Sequence, residues 1–101
     1  MAETPEGKVK RKVKELLSAH GAYWFCPVQT GMGARTLDFL GTHSGRGFAI
    51  ETKAPGKHMT EQQRAIADRI EKSGGKVFEI NGNYTELEEW LKAQPQLYVF
   101  L

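Results

Sequence analysis

The chain has 101 residues, 40% hydrophobic and 26% charged, the make-up of one small globular domain (1–101) with a single core and little to spare. Lys and Arg number 14 against 12 Asp and Glu, a net charge of +2, too small for the whole-molecule field to single out a polyanionic partner. One cysteine excludes an internal disulfide framework, no C-x-x-C or His-x-x-x-His spacing supports structural zinc, and no apolar run reaches the ~18 residues of a membrane span.

The first helix begins with Thr4 as N-cap, Pro5 at the first helical position and Glu6 at the positive end of the dipole. Val9, Val13, Leu16 and Leu17 form its apolar stripe, and Gly21 ends it after His20. Lys8, Lys10, Arg11, Lys12 and Lys14 crowd the same helix, whereas Glu86, Glu88 and Glu89 cluster near the other end of the chain. The basic run is either a patch for an anionic partner or a solvated helix face. Glu6, three residues before Val9, either stabilises the helix start or points toward the sheet.

Residues 22–29 read as an aromatic strand, with Pro27 marking an edge or an end and Cys26 expected as a small buried hydrophobe. Residues 30–35 form a loop whose two glycines match neither a Walker nor a dinucleotide spacing. Leu37 to Leu40 is the next strand, with Asp38 and Leu40 on the face opposite Leu37 and Phe39. Residues 41–47 then turn the chain into the strand Phe48-Ala49-Ile50-Glu51-Thr52-Lys53. A tight turn centred on Ser44 and Gly45 sets position 38 opposite position 51.

A second helix starts at Thr60, where Thr60 and Gln63 make a capping box, and presents Ile66, Ala67 and Ile70 before stopping at residues 73–75. Lys76 to Ile80 is a strand and residues 81–83 a turn. Thr85 begins a last helix, with Glu88 completing a second capping box and Leu87, Trp90 and Leu91 as its apolar face. Gln94-Pro95 closes that helix and residues 97–101 make a short terminal strand. The expected order is helix, three strands, helix, strand, helix, tail: an α/β domain with a mixed central sheet flanked by helices.

Chemistry concentrates on the third strand. Ala49, Glu51 and Lys53 share one of its faces, and Asp38 joins them under the expected register. Two carboxylates so placed repel unless a proton or a cation lies between them, and oxygen ligands suit Mg²⁺ or Mn²⁺. An ammonium beside them would polarise water and stabilise charge on a phosphate. The alternative is a salt bridge between Glu51 and Lys53 at a strand end, with Asp38 starting a turn. His20, His43 and His58 lack clustered partners and read as surface or capping residues.

Asp38 followed by Glu51-Thr52-Lys53 resembles the D…(D/E)-x-K signature of the PD-(D/E)XK nuclease superfamily, whose restriction-endonuclease-like core runs helix, three strands, helix, strand. Pro27-Val28-Gln29, Gly31-Met32-Gly33, Leu37-Asp38-Phe39, Ala49 to Lys57, and Thr60 with Gln63 together resemble the small phage-type members of the virus-type replication-repair nuclease (VRR-NUC) family. The resemblance spans residues 4–80. It implies Asp38, Glu51 and the Thr52 backbone carbonyl as ligands of Mg²⁺ or Mn²⁺, Lys53 as the catalytic lysine, Gln63 as a support of the site, and Glu6 as an acid approaching the metal. The superfamily's proline before the aspartate is Leu37 here, a change that touches backbone shape and no ligand.

The implied activity is a divalent-metal-dependent DNA endonuclease, structure-selective and similar to Holliday-junction resolvases, working as a homodimer in replication, recombination or repair. A flap- or nick-specific nuclease, a non-catalytic DNA-binding subunit of the same fold, and a metal-independent protein-interaction module are the alternatives. Lys8, Arg11, Lys12, Arg46, Lys57 and His58 are the candidate contacts to DNA backbone. The last helix and the 97–101 tail are candidate dimer surfaces. A cytoplasmic setting is expected, that of a bacterial host if the protein is phage-encoded.

Overall fold

The computed structural model describes residues 3–29 and 35–93. It is a small α/β domain in which three helices flank a mixed four-stranded sheet, ordered α1 (Pro5–Ala19), β1 (Tyr23–Phe25), β2 (Phe39–His43), β3 (Arg46–Thr52), α2 (Glu61–Lys72), β4 (Lys76–Ile80), α3 (Thr85–Ala93). The tail expected as a strand lies outside the described residues, as do residues 30–34 of the loop.

The sheet order follows the chain, β1-β2-β3-β4. The first three strands are antiparallel, and β4 joins β3 in parallel after the crossover through α2, the length of connection a parallel pair requires. The β2–β3 hairpin closes through Ser44 and Gly45, at φ 51° and 81°, with His43 opposite Arg46. Positive φ at both central residues is the turn whose twist matches that of the strands. That turn fixes Phe39 opposite Ile50 as the last pair of the ladder, and just beyond it the Asp38 N–H meets the Glu51 carboxylate.

Each sheet face has its own cluster. Phe39, Phe48, Ile50, Phe78 and Ile80 pack with Val9, Val13 and Leu17 of α1 and Leu87 and Leu91 of α3. On the opposite face Ala49 and Leu37 meet Ala67 of α2, with Leu40, Ile66, Ile70 and Val77 around them. Burying each large aliphatic or aromatic side chain contributes about 1.5–3 kcal/mol. α3 therefore spends its apolar residues on the core. His43 reinforces it, because its Nε2 lies 2.9 Å from the Leu91 carbonyl, one of the acceptors that a helix C-terminus leaves unpaired.

Five expectations are corrected. The aromatic strand is only three residues long and ends before Pro27, which cannot donate to a ladder; Cys26, just past its end, is exposed and not buried. Leu37 and Phe39 fall in opposite clusters, since a bend at Asp38 breaks the alternation before β2 begins. Gly41 lies inside β2, where its missing Cβ would collide with the Tyr23 carbonyl oxygen; the glycine admits β1. Asn83 caps α3 by accepting the Thr85 N–H at 3.0 Å, in place of the Thr85–Glu88 box.

Candidate active site at the end of β3

Glu51 is buried near the C-terminal end of β3, with 4% of its surface accessible. Its Oε1 accepts the Asp38 N–H at 3.2 Å, its Oε2 accepts from Gln63 Nε2 at 2.8 Å, and Lys53 Nζ lies 3.5 Å from Oε2. Desolvation raises the Glu51 pKa above the ordinary carboxylate value, and the Asp38 charge raises it further. Lys53 and the Asp38 N–H oppose that shift without cancelling it. A carboxylate held in this state is costly to the fold.

Gln63 reaches the site because of how α2 begins. Thr60 Oγ1 accepts the Gln63 N–H at 3.2 Å, while Gln63 Oε1 accepts the Thr60 N–H at 3.0 Å. That capping box occupies the amide oxygen and leaves the amide nitrogen aimed at Glu51. One side chain thus ties the helix start to the strand end.

Asp38 departs from the expected geometry. The hairpin turn is as predicted, but the bend turns the carboxylate away from a side-by-side pairing with that of Glu51. Its Oδ2 accepts from Thr52 Oγ1 at 2.6 Å and from Thr52 N at 3.0 Å. The part of Asp38 that meets Glu51 is its backbone N–H. Its Oδ1 lies 3.9 Å from Lys10 Nζ, a residue of α1 that the sequence placed only in a basic run. Glu6, one turn earlier, is exposed and forms no ion pair among the described residues.

A third carboxylate organises the approach. Glu79 pairs with Glu51 across the parallel register, and it accepts the Met59 N–H at 2.6 Å while meeting His58 Nδ1 at 2.9 Å and Arg64 at 3.4 Å. Burial alone would raise the Glu79 pKa, but the Met59 N–H, His58 and Arg64 hold it below the usual carboxylate value. No local pattern around Glu79 signals this role, because the partners meet only through the register of a parallel crossover. His58 is therefore committed to Glu79.

The basic candidates separate. Lys8 and Lys12 are exposed on α1, Lys12 lying over the Tyr84 ring at 5.9 Å. Arg11 is neutralised by Glu3 at 2.9 Å and Glu15 at 2.8 Å. Lys57 is exposed in the turn after β3, whereas Arg46 starts that strand at the end remote from Glu51. Among the described residues no three His, Cys, Asp or Glu side chains come together as a metal site, and no helix is long and apolar enough to cross a membrane. Comparison with protein-family models, curated proteins and solved structures finds no match to this chain.

Proposed function

We propose that this domain is a divalent-metal-dependent DNA endonuclease of the PD-(D/E)XK type, similar to the virus-type replication-repair nucleases, that acts on branched DNA as a homodimer. The observation that carries the reading is the convergence of Asp38, Glu51, Lys53 and Gln63 at one strand end. The order helix, three strands, helix, strand is also that of the superfamily core.

The donor set fits a hard cation. Asp38 and Glu51 would supply oxygens alone, one of them a buried carboxylate whose charge is incompletely balanced, with the Thr52 carbonyl as the neutral third ligand that the resemblance implies. Mg²⁺ or Mn²⁺ bound there supplies Lewis-acid stabilisation of a phosphoryl oxygen and a lowered pKa for water. The protein does the rest. Lys53, 3.5 Å from Glu51, holds a water at the site and stabilises negative charge as it develops on the phosphate. Gln63 fixes the Glu51 carboxylate, and Lys10 places a second ammonium beside Asp38. Lys8, Lys12 and Lys57 attract the DNA backbone.

Divalent-ion titration followed by calorimetry tests the metal half of the proposal. Asp38→Asn and Glu51→Gln should each weaken Mn²⁺ binding by roughly 10-fold or more. Wild-type protein that binds no divalent ion, or variants that bind it as well as wild type, would sink the reading in favour of a structural ion-pair network.

A further inference from the structure

We propose that the open part of the α2-side sheet face, the exposed pair Tyr23 and Phe25, is a stacking site for unpaired nucleobases of the DNA substrate. The proposal rests on the nucleic-acid reading above and extends it to a part of the molecule remote from the reacting phosphate.

Tyr23 is 67% exposed and Phe25 45%, with ring centroids 6.4 Å apart and planes inclined at 46°. Standing two residues apart, they share a face, whereas Trp24 between them turns to the other side against Phe39 at 5.7 Å. Phe25 is paired with Leu40, which packs on the α2-side cluster. The two rings therefore share the sheet face that carries Ala49 and Glu51. No β1 residue belongs to that cluster, so α2 leaves this end of the face uncovered.

A groove of about 360 Å³ runs beside α2, lined by Arg35, Thr36, Ile66, Arg69, Ile70 and Ser73. A second groove of about 330 Å³ shares Ile70 and Ser73 with it and includes Leu40, the partner of Phe25. The first contains two guanidinium groups and no carboxylate, and Thr36 is two residues from Asp38. The two grooves meet at Ile70 and Ser73, so the arginine-lined one adjoins the one that reaches Leu40, the strand partner of Phe25.

The positive charge of the arginine-lined groove selects a polyanion, and exposed flat rings select bases that are free to stack. A duplex keeps its bases stacked internally and has no use for the rings. A second copy of the chain suits the face less well. β1 is a three-residue edge closed by Pro27, which cannot donate to an added strand. An isologous contact there would also bring the arginines of one copy toward those of the other.

The test is fluorescence anisotropy with an oligothymidylate of about 12 nucleotides, within the span of ordinary single-strand sites, beside a blunt duplex of the same length. The expected result is that Tyr23→Ala with Phe25→Ala weakens single-strand binding about 10-fold or more, since two stacking partners are lost, with duplex binding nearly unchanged. Tyr23→Leu with Phe25→Leu, which keeps apolar bulk on the strand, should do the same, and Tyr23→Trp should retain affinity. Unchanged single-strand binding, or equal loss on both probes, overturns the proposal while leaving the nuclease reading intact. Sedimentation showing that the double variant turns a wild-type dimer into a monomer overturns it in favour of a copy interface. Wild-type protein that does not bind the single strand also overturns the proposal, and the nuclease reading is then judged separately by cleavage of a four-way junction.

Discussion

Burial and the Asp38 charge raise the proton affinity of Glu51 in the folded chain above that in the unfolded one. Between the ordinary value of 4.5 and the raised one, the folded state holds more protons, so stability falls as pH rises through that window. Glu51→Gln removes this dependence. Urea unfolding of both proteins from about pH 4 to about pH 8 should therefore show the wild type losing ground to the variant as pH increases. A difference that is flat, or that moves toward the wild type, contradicts the strained carboxylate. Glu51 and Lys53 were legible in the sequence from strand alternation, Gln63 from the capping box, and the nearness of Asp38 from the two-residue turn. Lys10 and the rotation of Asp38 were not, since a bend and the packing of α1 lie beyond local pattern.

Glu79 shows the same limit at the scale of elements. It holds His58 and the Met59 N–H, directly before the Thr60–Gln63 capping box that opens α2. Glu79→Ala should cost about 1–3 kcal/mol by orphaning the Met59 N–H, and lower metal-dependent turnover roughly 10-fold by loosening Gln63; unfolding curves and initial rates check the two effects. Its pKa is lowered, so the stability it contributes is fully present above pH 4.5 and lost as pH falls through the lowered value. Gly41→Ala belongs to this scale too. The added Cβ meets the Tyr23 carbonyl and the Phe48 ring, and a loss of about 1–3 kcal/mol is expected; a thermal midpoint like that of wild type would show that β1 can shift. Helices with local caps, such as Thr4 and Thr60, were legible from sequence. The extent of β1 was not, because a short edge strand is set by what its neighbour accepts.

Across the whole molecule the net charge of +2 understates what DNA would meet and overstates what Arg11 offers. Lys8 and Lys12 are exposed on α1, but Arg11 is held by two carboxylates. Lys8→Ala and Lys12→Ala should each lower the salt dependence of duplex binding, the slope of log Kobs against log salt changing by about 1. Arg11→Ala and Arg46→Ala should leave it nearly unchanged. Equal effects from all four would place the DNA elsewhere.

The nuclease reading itself turns on Lys53. Its removal leaves Glu51 with one less counter-charge, so Lys53→Arg, which keeps the positive charge but not the compact ammonium, belongs beside Lys53→Ala. Cleavage of a four-way junction, a flap and a linear duplex, each with Mg²⁺, with Mn²⁺ and with chelator, is the most direct measurement. The expected result is metal-dependent cleavage by wild type, fastest on the junction, and a loss of about 100-fold or more in both folded variants. Cleavage that survives in Lys53→Ala, or that proceeds equally well in chelator, would contradict the account.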